Sequence, residues 1–208
     1  MNAIALLAVC MTAWSGAHAA GVKPTAGRLL VAQGGQPGVF SRSVVLLIAY
    51  GPNGAMGLIV NRPTKVPLAK ALVNPRGLNG RSGLLYFGGP VALDHLTLLI
   101  RANKMPSGAF HVVGHVYASG SATTLRAIVT GKLPGAHFRG YAGYAGWAPG
   151  QLDSEIARGG WKILPATDDD VFSTDPTSLW NELIRQPELQ LTRVSRPTPV
   201  VQTLRSWQ

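Results

Sequence analysis

The stretch SVVLLIAYGPNGAMGLIV, residues 43–60, predicts the central feature of the fold. Its two ends are apolar and rich in aliphatic and β-branched residues, which is typical of buried strands. Between them, Gly51-Pro-Asn-Gly54 is a strong turn sequence, because glycine and asparagine adopt backbone conformations that other residues avoid. We therefore predict a β-hairpin with strands over 43–49 and 55–60.

The sequence on either side of this hairpin predicts more strands than helices. Short aliphatic and aromatic runs are separated by clusters of glycine, proline and asparagine, and a few segments have the apolar spacing and end signals of helices. Strands and helices do not alternate regularly, so we expect an α/β chain of the mixed α+β kind in a single domain. The predicted strands cover 28–32, 84–87, 96–100, 110–117, 137–146 and 161–164, and the predicted helices cover 67–73, 150–158, 175–185 and a segment ending at Thr130 that Ser121 or Thr123 caps.

Composition and charge limit the class of protein. The chain has 208 residues, of which 46% are hydrophobic and 13% charged, as in ordinary globular proteins. The single cysteine, Cys10, excludes a disulfide framework and the multi-cysteine zinc modules. The formal net charge is +10, and residues 1–150 hold 13 lysines and arginines against one acid, Asp94.

This basic excess favours attraction to polyanions such as nucleic acid, anionic lipid or acidic polysaccharide. The basic residues are scattered singly, however, and a solvated basic surface is the favoured interpretation. The sequence has no apparent helix-turn-helix, and the predicted helix 175–185 carries two acids and one arginine. Nucleic acid is therefore not the favoured partner, and we expect another protein or a small anionic ligand.

The first 19 residues have the features of a secretory signal peptide. An apolar stretch, Ala3–Trp14, is followed by Ala17-His18-Ala19, a pattern that suits signal peptidase, although no lysine or arginine precedes it. The apolar stretch is short for a bilayer span, which favours a cleaved signal over a permanent anchor. After cleavage we expect no transmembrane anchor. We predict export to the periplasm and a mature chain without cysteine, with a cytoplasmic location as the alternative.

Several motifs that would indicate catalysis or a cofactor are missing or explained otherwise. His111-Val-Val-Gly-His115 has the i, i+4 spacing of zinc peptidases but lacks the glutamate, and on a strand its histidines would lie about 13 Å apart. No Gly-x-Ser-x-Gly elbow, Walker loop or Gly-x-Gly-x-x-Gly motif occurs in the sequence. We interpret Asp168-Asp-Asp170 as a solvated loop. The sequence thus predicts no metal site and no cofactor.

The remaining candidates for a ligand-binding site lie at turns and element ends. Gln151 and Glu155 are four residues apart on one predicted helical face, and Arg62 could pair with Glu155 or with an acidic ligand. The alternative is a structural network in which Asn61 caps a turn, Glu155 pairs with an arginine and Gln151 satisfies backbone groups. We favour this alternative over the binding site. The complete candidate set is Asn61, Arg62, Gly88, Gly89, Trp147, Gln151 and Glu155.

Four segments carry a resemblance to a known family. They are Leu29-Leu-Val-Ala with Phe40-Ser-Arg-Ser-Val-Val-Leu-Leu, then Gly54-Ala-Met-Gly-Leu-Ile-Val-Asn-Arg-Pro63, Phe87-Gly-Gly-Pro-Val91 and Gly143-Tyr-Ala-Gly-Trp-Ala-Pro-Gly-Gln-Leu-Asp-Ser-Glu-Ile156. Together they resemble the YqgE/AlgH family of bacterial proteins.

The resemblance implies one domain, over residues 28–186, with a bent mixed β-sheet that forms a pseudo-barrel with flanking helices. It implies little about activity, because the family is largely uncharacterised, some members are described as transcriptional regulators, and no catalytic residue can be carried over. This chain departs from the family in its signal-like start, in having no cysteine in the matched region, and in the proline- and arginine-containing segment 187–208, which we predict to be unstructured.

Three functions are consistent with these observations. The favoured one is a non-catalytic binding or interaction module of the cell envelope. The alternatives are a cytoplasmic transcriptional regulator and an enzyme with an unrecognised site near Arg62, Gln151 and Glu155.

Overall fold

The part of the chain that the computed structural model describes comprises residues 24–34, 38–71 and 83–187, so the predicted signal peptide and C-terminal tail lie outside it. Its strands are β1 Arg28–Ala32, β2 Val44–Gly51, β3 Gly54–Ile59, β4 Pro63–Pro67, β5 Leu84–Phe87, β6 Val91–Arg101, β7 Phe110–Val113, β8 Val116–Ser119, β9 His137–Trp147 and β10 Trp161–Pro165. Its α-helices are α1 Ala122–Val129, α2 Gln151–Ala157, α3 Asp168–Val171 and α4 Leu179–Leu183, and short 3₁₀ helices occupy Gly38–Phe40 and Leu68–Ala71.

The predicted hairpin is present as β2 and β3. The two strands pair antiparallel from Val45 opposite Ile59 to Gly51 opposite Gly54, with a register shift between Leu47 and Ala49. The residues of β2 up to Ile48 are buried, which explains why the strand is an unbroken apolar run.

The strands form one ten-stranded sheet with the path β10-β1-β2-β3-β9-β6-β8-β7, and β4 and β5 join it beside β9. Every pairing is antiparallel except that of β5 with β9, so the sheet is mixed. The long strand β9 pairs with β3 through its C-terminal end and with β5 and β6 through its N-terminal part. The sheet curls into a half-barrel with a few helices, which confirms the predicted fold class.

Both faces of the C-terminal part of β6 are buried, and successive side chains of a strand point to opposite faces. Leu99 belongs to the main core inside the curl, together with Tyr141 of β9 and Leu183 of α4. Leu98 and Ile100 face the other side and pack with Ile128 of α1 in a smaller core. The segment that carries α3 and α4 therefore packs against the inner core, while α1 covers the outside of the sheet.

The structure differs from the helix predicted over 67–73. The segment 67–73 was predicted as a helix, but Pro63–Pro67 is a strand paired with β5, and only a 3₁₀ turn at Leu68–Ala71 follows. Residues 72 and 73 of the predicted helix lie in the segment 72–82, outside the described part of the chain. Pairing with β5 determines the structure of β4, and the local apolar spacing gives no sign of that pairing.

The segment predicted as one strand over 110–117 is a hairpin, because Gly114 adopts a positive φ of 50° and reverses the chain between β7 and β8.

Asp168–Asp170 was predicted as a loop, but it is the start of helix α3. Thr167 and Asp170 form a reciprocal capping box that satisfies the first backbone N–H groups of this helix. The predicted helix 175–185 is shorter than expected, with α4 confined to Leu179–Leu183. No helix in the described residues is long and apolar enough to cross a membrane.

Candidate functional site

Three of the predicted site residues form one hydrogen-bonded network. Glu155 Oε2 accepts hydrogen bonds from the indole nitrogens of Trp147, at 2.9 Å, and Trp161, at 2.7 Å. Its Oε1 accepts from Gln151 Nε2 at 2.9 Å. Trp147 is 6% exposed and Trp161 2%, so a single carboxylate satisfies two buried donors. The rings of Phe40, Trp147 and Trp161 contact one another with centroids 5.8 to 6.2 Å apart.

The sequence explains how α2 brings these side chains together. Gly150 adopts a left-handed conformation that redirects the chain into the helix, where glycine is the residue that does so without steric cost. Gln151 Oε1 accepts from the backbone nitrogen of Ala148, and Gln151 and Glu155 then lie one turn apart on the same face. The side chains of Gln151 and Glu155 are thus bonded to each other and to the chain around them.

Asn61 and Arg62 bind the segment before β2. Asn61 Oδ1 accepts from the backbone nitrogen of Val44, and its Nδ2 donates to the carbonyl of Arg42, both at 2.9 Å. Arg62 donates to the carbonyl of Ser41 at 2.6 Å, and partial burial lowers the pKa of its guanidinium. In the described residues no hydrogen bond or ion pair joins Arg62 to Glu155.

Gly88 and Gly89 lie where the chain passes close to β9. A Cβ on Gly88 would lie 2.3 Å from the carbonyl oxygen of Gly143, and one on Gly89 would lie 2.1 Å from the carbonyl carbon of Tyr144. The backbone of Gly88 bonds to Ala142 and to Ile59. These glycines therefore allow the chain to pass close to the backbone of β9.

The histidines of the His111–His115 motif serve the β7–β8 turn. His111 Nε2 contacts the carbonyl of Gly114 at 3.0 Å, while the backbone and ring nitrogens of His115 contact the carboxylate of Asp168 at 3.1 to 3.3 Å. The two histidines are not separated by four residues of extended chain, because the turn intervenes. The described residues contain no group of three histidine, cysteine or acidic side chains placed to hold a metal ion.

One concave surface was not predicted from the sequence. It is an open depression of about 600 Å³ at the end of β6, bordered by the loop that leads into β9. We call it the basic depression; its lining comprises residues 101–104, His115, residues 133–137 and Asp168. An adjacent hollow of about 560 Å³ shares Arg101 and His137 and adds Arg139, Phe172 and Thr174.

The register of β6 and β9 creates this surface. Arg101 lies directly opposite His137, and Leu99 lies opposite Arg139, so these side chains share the inner face of the sheet. Deeper in the curl, this face is apolar around Tyr141, and at the end of the strands it becomes cationic. The pairing joins residues 36 positions apart, for which the sequence offers no local signal.

Arg139 is held firmly beside the basic depression. It donates to the carbonyls of Val171 and Ser173, at 2.9 and 2.5 Å, and its guanidinium lies 4.9 Å from the Tyr86 ring centroid and 5.4 Å from that of Phe172. Burial raises the pKa of the Tyr141 hydroxyl, and the positive charge of Arg139 reduces this rise. The Tyr141 hydroxyl has no hydrogen-bond partner among the described residues.

The described residues form a single domain with a curled, mainly antiparallel sheet. The solved structures that resemble it include an X-ray structure of a protein from Corynebacterium diphtheriae, with a TM-score of 0.68 and 26% identity over 80% of this chain and 90% of that one. They also include the solution structure of the AlgH protein from Pseudomonas aeruginosa, with a TM-score of 0.65 and 27% identity over 78% of this chain and 89% of that one.

Sequence comparison gives the particular family. The AlgH-like family model matches residues 29–192. A UPF0301 protein of Methylococcus capsulatus is 37% identical over 80% of this chain and 93% of its own length, and one of Streptomyces avermitilis is 35% identical over 84% and 92%. The chain belongs to the YqgE/AlgH family, also called UPF0301, as the sequence motifs predicted.

Proposed function

We propose that the protein is a non-catalytic binding module of the cell envelope and that its ligand is anionic. The observation that carries the proposal is the basic depression, which offers cationic side chains around a concave surface of ligand size. Lys104 and His137 make no side-chain hydrogen bond or ion pair to another described residue. Their donors are thus available to a ligand.

The residues suggested for an enzyme are less suited to act on a substrate. Glu155 accepts two buried indole donors and one amide donor, and Arg62 donates to a backbone carbonyl. A general acid or base needs an accessible carboxylate whose proton affinity suits its task, and one that satisfies two tryptophans already has a structural role. We therefore assign this network a structural role, and we favour binding at the basic depression over catalysis at Glu155 or Arg62.

Placement in the envelope rests on the first 19 residues. The apolar stretch followed by Ala17-His18-Ala19 has the pattern of a cleaved signal. Export would separate the protein from chromosomal DNA, so this part of the proposal also opposes the regulator function.

Two experiments test the proposal. In the first, residues 1–27 are fused to alkaline phosphatase, which is active only outside the cytoplasm, and we expect the fusion to be active. In a control fusion, Ala17→Leu with Ala19→Leu should block cleavage of the signal. In the second, the purified full chain is passed over immobilised phosphate, carboxylate, duplex DNA and uncharged matrices at low and high salt. We expect salt-sensitive retention on the small anions and no preference for DNA. An inactive fusion would refute export, and equal retention on the uncharged matrix would refute an anionic ligand.

A further inference from the structure

We infer that the basic depression binds a phosphomonoester carried on an apolar body, with Arg101 and Lys104 as the anion-binding residues and Asp169 as an internal competitor for Arg101. This inference rests on the proposed function and deepens it, because it names the site and the chemical class of ligand.

The first step of the argument is the state of Arg101. Its guanidinium contacts one oxygen of Asp169 at 2.9 Å and lies 5.3 Å from the Phe172 ring centroid. The Arg101 side chain is 32% exposed, but that of Asp169 is 96% exposed. An ion pair to so exposed a carboxylate is weak, since water and salt screen it. A ligand with two negative charges can therefore displace Asp169, while the ring of Phe172 continues to orient the guanidinium plane.

The second step is the charge around the depression. Lys104 and His137 lie on its border without partners among the described residues, and Arg139 lies next to it but already donates to two carbonyls. The acid in the lining, Asp168, accepts hydrogen bonds from His115 at the β7–β8 turn. Asp168 is thus held at the turn by its hydrogen bonds and Asp169 is displaceable, whereas Lys104 is free to pair with an anion. A guanidinium fork beside a mobile ammonium suits a phosphate better than a monovalent carboxylate.

The third step concerns the body of the ligand. The lining also contains apolar residues, Ala102 beside Arg101 and Leu133, Pro134 and Ala136 in the loop before β9. Ala102, Leu133 and Ala136 also pack against the smaller core, which holds this part of the lining in place. A volume of about 600 Å³ exceeds what an inorganic phosphate fills, so an apolar group attached to the phosphate would contact these apolar residues. Because apolar contact removes surface from water, we expect phenyl phosphate to bind about three- to tenfold more tightly than inorganic phosphate.

The test is calorimetric titration of the full chain with phenyl phosphate. We expect Arg101→Ala to weaken binding about ten- to a hundredfold, since it removes a charge-assisted forked contact, and Arg101→Lys to give an intermediate loss. Lys104→Glu should weaken binding by about fivefold or more, because it reverses a charge close to the ligand. Asp169→Asn should tighten binding by up to about fivefold, because it removes the competitor.

Matched controls separate this site from general attraction to a basic protein. Lys65 on β4 is exposed and outside the basic depression, so Lys65→Glu changes the net charge as Lys104→Glu does. Asp94 on β6 is likewise exposed and serves as the control for Asp169→Asn. We expect both control variants to bind phenyl phosphate within about twofold of the original chain. Equal losses in Lys104→Glu and Lys65→Glu, or no saturable binding by the unchanged protein, would overturn the inference.

A phosphomonoester can be a free metabolite or a lipid headgroup, and a second arm distinguishes them. The protein is sedimented with phosphatidylcholine vesicles that do or do not contain phosphatidic acid, in the presence and absence of phenyl phosphate. Sedimentation that phenyl phosphate competes away assigns the site to a headgroup, and titration without sedimentation assigns it to a soluble ligand. Either result supports the site. Retention on immobilised phosphate that survives Arg101→Ala and Lys104→Glu would leave the proposed function standing and remove this inference.

Discussion

Replacing Glu155 by alanine should destabilise the protein, because two buried tryptophans would lose their hydrogen-bond acceptor. Trp147 and Trp161 are almost completely buried, and both indole nitrogens donate to Glu155 Oε2. A hydrogen bond to a charged group contributes about 1.5–3 kcal/mol, and a buried donor left unpaired carries a penalty of similar size. Because Glu155 itself is only partly buried, water can replace it at one donor, so we expect a loss of about 3 kcal/mol.

The measurement is urea unfolding followed by tryptophan fluorescence and by far-UV circular dichroism. A loss of about 3 kcal/mol would be a large share of the 5–15 kcal/mol by which a domain of this kind is usually stable. Glu155→Gln retains an acceptor oxygen without the charge, and we expect it to lose about 1 kcal/mol. Arg158→Ala, at an exposed position at the end of the same helix, should change the free energy of unfolding by less than about 0.5 kcal/mol.

Two results would refute this reasoning. If Glu155→Ala costs less than about 1 kcal/mol, the carboxylate is not what satisfies the buried indoles. If Glu155→Gln and Glu155→Ala lower the free energy of unfolding equally, then the hydrogen bonds that Glu155 accepts from the two indoles are not what stabilises the protein.

Three further changes test other parts of the structure. Gly114→Ala should lose about 1–3 kcal/mol in urea unfolding, because the new Cβ would lie 2.1 Å from Asp168 Oδ1 at a positive φ; a variant as stable as the original would contradict the turn geometry. Asn61→Ala should lose about 2–3 kcal/mol, since both of its backbone hydrogen bonds disappear, and a change below about 0.5 kcal/mol would show that they contribute nothing. Tyr141→Phe should be neutral or stabilising, because the lost hydroxyl is buried without a partner. Because the pKa of the Tyr141 hydroxyl is raised in the folded protein, this hydroxyl ionises at lower pH in the unfolded chain than in the folded one. The free energy of unfolding of the original protein should therefore fall above about pH 10, and that of Tyr141→Phe should fall less. Equal dependence of the two free energies on pH would contradict this.

The local elements that the sequence predicted well are those with their own signals. The turn Gly51-Pro-Asn-Gly54 fixes the β2–β3 hairpin, and the Ser121 hydroxyl caps α1 by accepting from the backbone nitrogen of Thr123. Both depend on residues within a few positions of one another. The curled sheet was predicted through the family motifs, since its strand order joins residues that are far apart in sequence.

The candidate site was predicted less completely, for the same physical reason. The helical spacing of Gln151 and Glu155 correctly places them in contact, but the indole of Trp161 reaches Glu155 because β10 packs beside α2. The basic depression depends on the pairing of Arg101 with His137, which only the β6–β9 register determines. His137 had looked isolated, because no local pattern brings it near a charged residue.

The central claim is that the protein binds an anionic ligand outside the cytoplasm. The most direct test is native mass spectrometry of the chain recovered from separate periplasmic and cytoplasmic fractions, before and after addition of phenyl phosphate. The account predicts a periplasmic chain that begins at Ala20 and takes up phenyl phosphate reversibly. A cytoplasmic chain that retains Met1, or a periplasmic chain whose mass phenyl phosphate does not change, would contradict it.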